Sequence, residues 1–294
     1  VVEDSYHFIA SGIAPSTHEE PFFDIGDGVF SAIAKLQSVT GRMLLDNEGD
    51  LIIPSRVGGE GVDRFVMTTS CGTGLNIVTF GLLNDVSLES VNRLAYSTYG
   101  RVVESIGIND RRAVHTQLDT VLAARPDLIL FAGGTDGGAN RSVQRMSNLI
   151  SSILQILPAT QRPRVLYCGN HDLAKKLNES FSRFTQVKVS NNVRPTIDEE
   201  NLEPVLQDLN DLVMDIQYAR IGGLKRMAPL CSTPPMLSNQ AFHTVIKFLG
   251  HLYDPNKGVL GIDIGGAHSV AAYANHQFST MHTFEYGLGT AITS

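Results

Sequence analysis

Apolar residues along the chain follow two spacings, and their alternation predicts the fold of the middle region. Period-two and continuous apolar runs indicate strands, whereas repeats every three or four residues indicate amphipathic helices. The elements predicted between residues 113 and 198 are, in order, a short helix with Leu118 and Val121, strand 128–132, a helix over 143–157, strand 165–168, a helix over 173–184 and strand 187–189. Such alternation is typical of a parallel sheet covered by helices. The middle of the chain is therefore predicted to be a parallel β-α-β-α-β region.

The amino-terminal part predicts helices and a pair of strands. Asp24 is placed to cap an amphipathic helix that Gly41 ends. The apolar runs 64–69 and 75–80 flank a small-residue turn at 70–74, so we expect them to be partner strands. A further helix is expected to begin at Ser87.

The carboxyl-terminal part changes in character, because long helical spacings replace the alternation. Residues 202–216 and 242–249 predict two amphipathic helices. The apolar run 258–264 predicts a buried strand, and 268–274 and 277–284 predict two further strands of a hairpin sheet.

The first candidate site is the turn that follows the apolar run 258–264. Asp263 lies at the strand end, and Gly265 and Gly266 form the bend, with Ser269 shortly after it. Backbone amides of such a turn suit phosphate oxygens, and the carboxylate suits Mg²⁺ or one of its water ligands. The alternative is a hairpin whose glycines only supply positive φ angles.

The second candidate site is a glycine-rich turn after the predicted strand 128–132. Its residues are Gly133, Gly134, Thr135, Asp136, Gly137 and Gly138. Open α/β sheets bind ligands where parallel strands end and helices begin, so the hydroxyl of Thr135 and the carboxylate of Asp136 are candidate ligand contacts. The alternative is that Asp136 caps the next helix. The turn lacks the lysine of a P-loop and the spacing of a dinucleotide fingerprint.

Composition and charge narrow the classes of function. The chain has 294 residues, of which 43% are hydrophobic and 18% charged, as in a globular protein. The formal charge of −7 argues against nucleic-acid binding, and no apolar run is long enough for a membrane helix. Three widely spaced cysteines and no signal-peptide pattern favour a cytoplasmic location. The absence of an initial Met and the last residues favour a fragment of a longer protein.

Several motifs together resemble a known family. They are Ala14-Pro15-Ser16-Thr17, the stretch from Asp127 through Gly138, Tyr167-Cys168-Gly169-Asn170, Asn192-Val193-Arg194-Pro195, Asp263-Ile264-Gly265-Gly266 and Tyr286-Gly287-Leu288-Gly289. In this order they resemble the accessory proteins of adenosylcobalamin-dependent glutamate mutase, the MutL type, which belong to the actin-like ATPases. The resemblance covers nearly the whole chain, and the stretch around Gly133–Gly138 is its most specific part.

The resemblance implies ribonuclease-H-like subdomains, with ATP and Mg²⁺ as cofactors. It makes Asp263 the metal ligand and places Gly265 and Gly266 in a phosphate loop, whereas it assigns no role to Gly133–Gly138. The implied parts are a truncated actin-like subdomain over 1–112, a parallel α/β subdomain over 113–198, a helical segment over 199–256 and the start of a second actin-like subdomain over 257–294.

The implied function is that of an ATP-dependent accessory or reactivating protein whose partners are an adenosylcobalamin-dependent mutase and a nucleotide. Two departures keep an alternative open. His268 stands where the family has a small hydroxyl residue, and the acid that follows in the family is absent. The alternative is a non-catalytic binding or scaffold protein that has lost ATP hydrolysis. A small-molecule kinase of the same superfamily is a third hypothesis.

Overall fold

A computed structural model describes residues 7–70, 74–138 and 140–289. The chain forms two compact units. One consists of the residues up to Gly72 together with Met214–Met236, and the other of Thr73–Val213 together with the residues from Leu237 onward. Most of the predicted turn at 70–74 lies outside the described residues. In the part of the chain that the structure covers, no helix has the length and apolar character needed to cross a membrane.

The helices are α1 (Ile25–Thr40), α2 (Glu89–Tyr96), α3 (Val114–Ala124), α4 (Asn140–Ile156), α5 (His171–Phe181), α6 (Glu203–Arg220), α7 (Leu224–Met227) and α8 (Ser238–Leu252). The strands are β1 (Thr68–Thr69), β2 (Leu75–Gly81), β3 (Gly100–Gly107), β4 (Leu128–Phe131), β5 (Arg164–Tyr167), β6 (Val187–Val189), β7 (Met236–Leu237), β8 (Val259–Ile264), β9 (Ser269–Ala274) and β10 (Ser279–Phe284). The chain is thus an α/β protein, as predicted.

The first unit is organised around α1. The Asp24 carboxylate accepts a hydrogen bond of 2.7 Å from the Gly26 amide, and Gly41 ends the helix with a left-handed φ of 66°. Both predicted helix ends are therefore confirmed. Arg226 forms an ion pair of 3.4 Å with Asp24, which ties α7 to the start of α1.

The second unit contains a five-stranded parallel sheet in the order β3-β2-β4-β5-β6. The predicted β-α-β-α-β region is confirmed as β4 to β6 with α4 and α5. The prediction that 75–80 pairs with 64–69 is wrong, because β2 takes β3 and β4 as neighbours, whereas β1 pairs with β7. The strand 100–107 was not predicted.

Helices cover both faces of this sheet. Val78 and Phe80 of β2 belong to the same buried cluster as the apolar residues of α3, α4 and α5. Thr79 points to the opposite face, where its hydroxyl donates to Asn92 of α2 at 2.6 Å. The first crossover, from β2 to β3, therefore uses a different face from the later ones. This is the arrangement of a doubly wound sheet.

The second sheet of this unit is antiparallel, in the order β10-β9-β8, and confirms the predicted hairpin strands. Helix α8 packs on the face that contains Gly261, and Ile246 lies directly over this glycine. The prediction that the first strand is buried is wrong. β8 is an edge strand, and Leu260, Ile262 and Ile264 on its other face are 63%, 64% and 57% exposed.

Candidate functional site

The turn at Gly133–Gly138 follows β4 at the carboxyl edge of the parallel sheet, as expected. Neighbouring loops after β5 and β6 bring Asn170 and Asn192 to the same edge. Asn170 is fully buried, and its amide group donates to Asn140 at the start of α4. Its side-chain oxygen also caps α5 by accepting from the Asp172 amide. The three loops are therefore connected by polar contacts rather than merely adjacent.

Asp136 is the centre of these contacts. One oxygen of its carboxylate accepts from the His171 amide at 2.9 Å and from the side chain of Asn192 at 3.0 Å. Its own amide donates to the carbonyl of Pro195. Asp136 thus joins the loops after β4, β5 and β6, and it contacts the start of α5. From the sequence, Asp136 is predicted only as a ligand contact or as the cap of the next helix, so its contacts with Asn192 and Pro195 are not predicted.

Glycines at this sheet edge are required either by a positive φ angle or by a close approach of two backbones. Gly134 and Gly137 have φ angles of 75° and 71°, which other residues rarely adopt. A Cβ atom on Gly169, in the next loop, would lie 2.5 Å from the amide nitrogen of Gly133. The loops after β4 and β5 therefore approach each other backbone to backbone.

A cavity of about 260 Å³ opens between the ends of β2 and β4. At this position the chain leaving β2 runs to one face of the sheet and the chain leaving β4 runs to the other. Open α/β sheets bind ligands at such a switch point. Its walls are formed by Leu82, Leu83, Val86, Ser87, Ile108, Gly134, Thr135, Ser142, Arg194 and Ile197. The cavity combines apolar walls with the hydroxyl-bearing residues Thr135 and Ser142, which suits a ligand with an apolar body and a few polar groups.

Arg194 and Ser87 line this cavity, and both side chains are already bonded to other protein groups. The guanidinium of Arg194 donates to Ser90 at 2.7 Å and forms an ion pair with Glu200 at 3.2 Å. The hydroxyl of Ser87 accepts from the amides of Leu82 and Leu83. Ser87 therefore holds the loop after β2 rather than beginning α2, which starts at Glu89.

The turn at Gly265 and Gly266 joins β8 to β9. The Gly265 amide donates to the His268 carbonyl at 2.9 Å, so it is used within the turn. The carbonyls of Gly265 and Gly266 accept from the amides of Leu288 and Gly289, and the Ser269 hydroxyl donates to the Tyr286 carbonyl at 2.7 Å. The segment Tyr286–Gly289 therefore folds back onto the turn, a contact that the sequence did not reveal.

An open hollow of about 330 Å³ lies beside this turn. It is lined by Gly74, Asn76, Tyr99, Gly100, Arg101, Ala267, His268 and Glu285. Within the described residues, the amides of Gly266 and Ala267 have no hydrogen-bond acceptor. Of these two residues, only Ala267 lines the open space, and Arg101 lines it as well. Unpaired turn amides next to a cationic side chain can bind an anion, although Glu285 opposes it.

His268 and Asp263 take different positions around the hollow. The ring of His268 packs edge-on against Tyr99, with 5.1 Å between ring centres, and its burial lowers its pKa below the ordinary value. Asp263 is exposed and does not line the hollow directly. Burial raises the pKa of Tyr99, and the negative charge of Asp263 raises it further. Asp263 is therefore close enough to influence the electrostatics of a residue that lines the hollow.

The two candidate sites lie at opposite edges of the parallel sheet. The hollow adjoins Gly74 and Gly100 at the amino ends of β2 and β3, whereas Gly133–Gly138 follows the carboxyl end of β4. Among the residues that the structure describes, no group of three or more His, Cys, Asp or Glu side chains is placed to hold a metal ion. A magnesium ion at Asp263 would therefore need phosphate oxygens and water as its other ligands.

Comparison with known proteins gives the family. The family described as MutL protein matches residues 1–286. Protein MutL of Clostridium tetanomorphum is 23% identical over 219 residues, which is 71% of this chain and 45% of that protein. The chain thus spans about half the length of this curated relative. No solved structure matches, so the actin-like and ribonuclease-H-like fold stays a prediction. Because the family match covers almost the entire chain, this protein belongs to the MutL family.

Proposed function

We propose that this chain is part of an ATP-dependent accessory protein for an adenosylcobalamin-dependent mutase. Membership of the MutL family supports the accessory role, since the family resemblance implies glutamate mutase as the partner. One structural observation carries the nucleotide part of the proposal. Ala267 lines an open hollow, and its amide and that of Gly266 before it have no acceptor among the described residues.

The residues around the turn fit the phosphate end of a nucleotide. The amides of Gly266 and Ala267 would donate to phosphate oxygens, and Arg101 would add positive charge on the wall of the hollow. The exposed carboxylate of Asp263 would hold Mg²⁺ through a water ligand or directly. Bound ATP would supply the free energy of phosphate transfer to water. The Gly265 amide is already bonded to the His268 carbonyl, so Gly265 would shape the turn and would not donate to the phosphate.

The segment Tyr286–Gly289 is joined by hydrogen bonds to the proposed phosphate site. It is held to the turn through the carbonyls of Gly265 and Gly266 and through Ser269. A ligand that orders the turn would therefore also order this segment, because they share the same peptide groups. We propose that the partner enzyme senses nucleotide binding through this coupling.

Calorimetric titration of the complete natural protein with ATP and Mg²⁺ tests the nucleotide site. We expect saturable binding that depends on Mg²⁺ and weakens about tenfold or more in Asp263→Ala, because a metal ligand is lost. Asp119→Ala removes an exposed carboxylate on α3 as a matched control and should bind like the wild type. Equal binding by the wild type and Asp263→Ala would refute the assignment of Asp263 as the metal ligand.

The position of His268 favours a second candidate function, that of a binding or scaffold protein without ATP hydrolysis. Its ring occupies part of the space beside the turn and is fixed against Tyr99. On this alternative, the wild type binds the mutase but not ATP, and His268→Thr gains Mg²⁺-dependent ATP binding because the ring is replaced by a small hydroxyl group. If the wild type binds ATP as well as His268→Thr does, this alternative fails.

A further inference from the structure

The cavity of about 260 Å³ at Gly134 lies between the carboxyl ends of β2 and β4. The sheet has the order β3-β2-β4-β5-β6, so the cavity occupies the point where successive connections turn to opposite faces. It shares no lining residue with the hollow at Ala267, and the proposed nucleotide site therefore leaves it unused. Its volume corresponds to roughly nine water-sized groups, which suits a single ring system rather than a whole nucleotide.

The walls of this cavity are held in shape by contacts within the protein. The chain after β2 forms a π-helical turn over Asn84–Leu88, a rare conformation that is frequent at functional sites. The loop after β6 is closed by a hydrogen bond of 3.0 Å from the Asn201 amide to the Val193 carbonyl. Asp136 holds the turn after β4 against the start of α5. Such a preformed cavity binds a ligand with little loss of chain entropy.

Several apolar side chains line the cavity, and two of them are exposed to water. Leu83, after β2, is 46% exposed, and Ile197, after β6, is 62% exposed. Val86 and Ile108 line the same cavity. A ligand that contacts Leu83 and Ile197 removes their apolar surface from water, which favours binding.

Two hydroxyl groups at the cavity are available to a ligand. Thr135 and Ser142 line it, and their side chains form no hydrogen bond with the other residues that the structure describes. A hydroxyl group both donates and accepts hydrogen bonds. A ligand edge that carries donors and acceptors therefore matches these two groups, whereas an alkyl chain would leave both without partners.

The charges around the cavity are balanced. Arg194 is the only charged side chain among the described residues that line it, and its guanidinium forms an ion pair with Glu200. Glu200 also pairs with Arg93, which has Glu89 as a further partner, so two arginines are paired with two glutamates. An anionic or cationic ligand therefore finds no free counter-charge on these walls, and the loss of its hydration disfavours binding.

We propose that the cavity at Gly134 binds an uncharged heteroaromatic ring of about the size of a purine. The faces of the ring pack against Leu83, Val86 and Ile197, and its nitrogen-bearing edge exchanges hydrogen bonds with the hydroxyls of Thr135 and Ser142. This ligand is separate from the triphosphate proposed at Gly266 and Ala267, because the two sites share no lining residue.

The methyl group of Thr135 reports on this site. Titration of the complete natural protein with adenine, observed by methyl NMR, should shift the Thr135 signal and saturate with a Kd on the order of 1 mM. Thr244 is exposed on α8 and does not line the cavity, so its signal provides the internal control. A Thr135 signal that does not respond to adenine overturns the proposal.

Charged rings of similar size test the balance of charges. Benzoate and benzylammonium should each shift the Thr135 signal with a Kd at least about fivefold weaker than that of adenine, because neither finds a free counter-charge. Equal or tighter binding of either compound would show that the cavity does not select an uncharged ring, and this result also overturns the proposal.

Two variants locate the ligand, with the methyl signals of Ile197 as the readout. Thr135→Val keeps the shape of the side chain and removes the hydroxyl, and Leu83→Ala removes an exposed apolar contact with little effect on folding. Each should weaken adenine binding about threefold or more. Thr116→Val changes an exposed threonine of α3 and should bind like the wild type. Equal binding by all of these proteins would place adenine outside the cavity and refute the assignment.

Discussion

At the scale of single residues, Asp136 shows how one carboxylate fixes the edge of a sheet. It accepts from the His171 amide and from the Asn192 side chain, which belong to two different loops. Asn192 also donates to the carbonyl of Gly134, and the Asp136 amide donates to the carbonyl of Pro195, so the loop after β6 is bonded to the glycine turn three times. The turn at Gly133–Gly138 is therefore held in shape before any ligand binds.

Replacement of Asp136 by Ala tests this structural role. Two hydrogen bonds are lost and two donors are left unpaired, so we predict a fall of about 1–3 kcal/mol in the free energy of unfolding. Urea denaturation followed by circular dichroism measures the change. Asp198→Ala removes an exposed loop carboxylate nearby and should change stability little. A similar effect of both substitutions would contradict a special role for Asp136.

Two glycines of similar appearance in the sequence should respond in opposite ways to Ala. At Gly169 the new Cβ would lie 2.5 Å and 2.7 Å from backbone atoms of Gly133, whereas at Gly266 no atom lies within 4 Å. We predict that Gly169→Ala lowers the free energy of unfolding by about 1–3 kcal/mol and that Gly266→Ala is nearly neutral. Thermal unfolding of the two variants makes the comparison. Two variants of equal stability would show that the loops after β4 and β5 do not approach closely.

At the scale of elements, the hairpin sheet and α8 contain three histidines whose burial lowers the pKa below the ordinary value of 6.5. They are His243, His268 and His282. The unfolded chain binds protons at these positions more tightly than the folded protein, so stability rises with pH. Their contribution is fully present above the unfolded pKa and is lost as pH falls below it.

We therefore predict that the free energy of unfolding falls between about pH 7.5 and pH 5.5. Carboxylates such as Asp110 and Glu200, whose pKa values are lowered from 3.8 and 4.5, titrate below this range. His282→Phe keeps a ring beside Tyr96 and should reduce the slope, whereas the exposed His251→Gln should not. Urea unfolding at several pH values gives the slope, and a flat profile in the wild type would contradict the prediction.

The elements also show what the sequence could and could not predict. β4 and β5 are buried along nearly their whole length, so their continuous apolar runs identified them correctly. β3 is an edge strand with charged Arg101 and Glu104, and its mixed pattern hid it. β8 shows the reverse case, because an apolar run lies at an exposed sheet edge. Apolar runs report strand formation, whereas burial depends on neighbours that local patterns do not encode.

At the scale of the whole molecule, topology decides how the candidate residues are grouped. The sequence identified both glycine turns, but only the structure shows that the hollow beside Ala267 adjoins the amino ends of β2 and β3, whereas Asp136 follows the carboxyl end of β4. The same order places the cavity at Gly134 at the divergence of the crossovers. A single ligand therefore does not contact both turns. The roles of Tyr286–Gly289 and Asn192 depend on contacts between distant residues, which no local motif contains.

The net charge of the chain predicts that it does not bind nucleic acid. It has 23 Lys and Arg against 30 Asp and Glu, for a formal charge of −7. Several of its arginines are also paired with carboxylates, including Arg93 with Glu200 and Arg112 with Glu104 and Asp110. Nucleic-acid binding depends on free cations that displace the counterions of phosphates.

We predict that the protein does not bind duplex DNA in fluorescence anisotropy measurements, even at about 50 mM salt, where electrostatic attraction is strong. If binding did occur, its dependence on salt would count the phosphate contacts, and a steep slope would reveal a basic surface that the net charge conceals. A titration with a nucleotide under the same conditions provides the contrast. Nucleotide binding without DNA binding would support a local phosphate site at Gly266 and Ala267, whereas salt-sensitive DNA binding would contradict the charge argument.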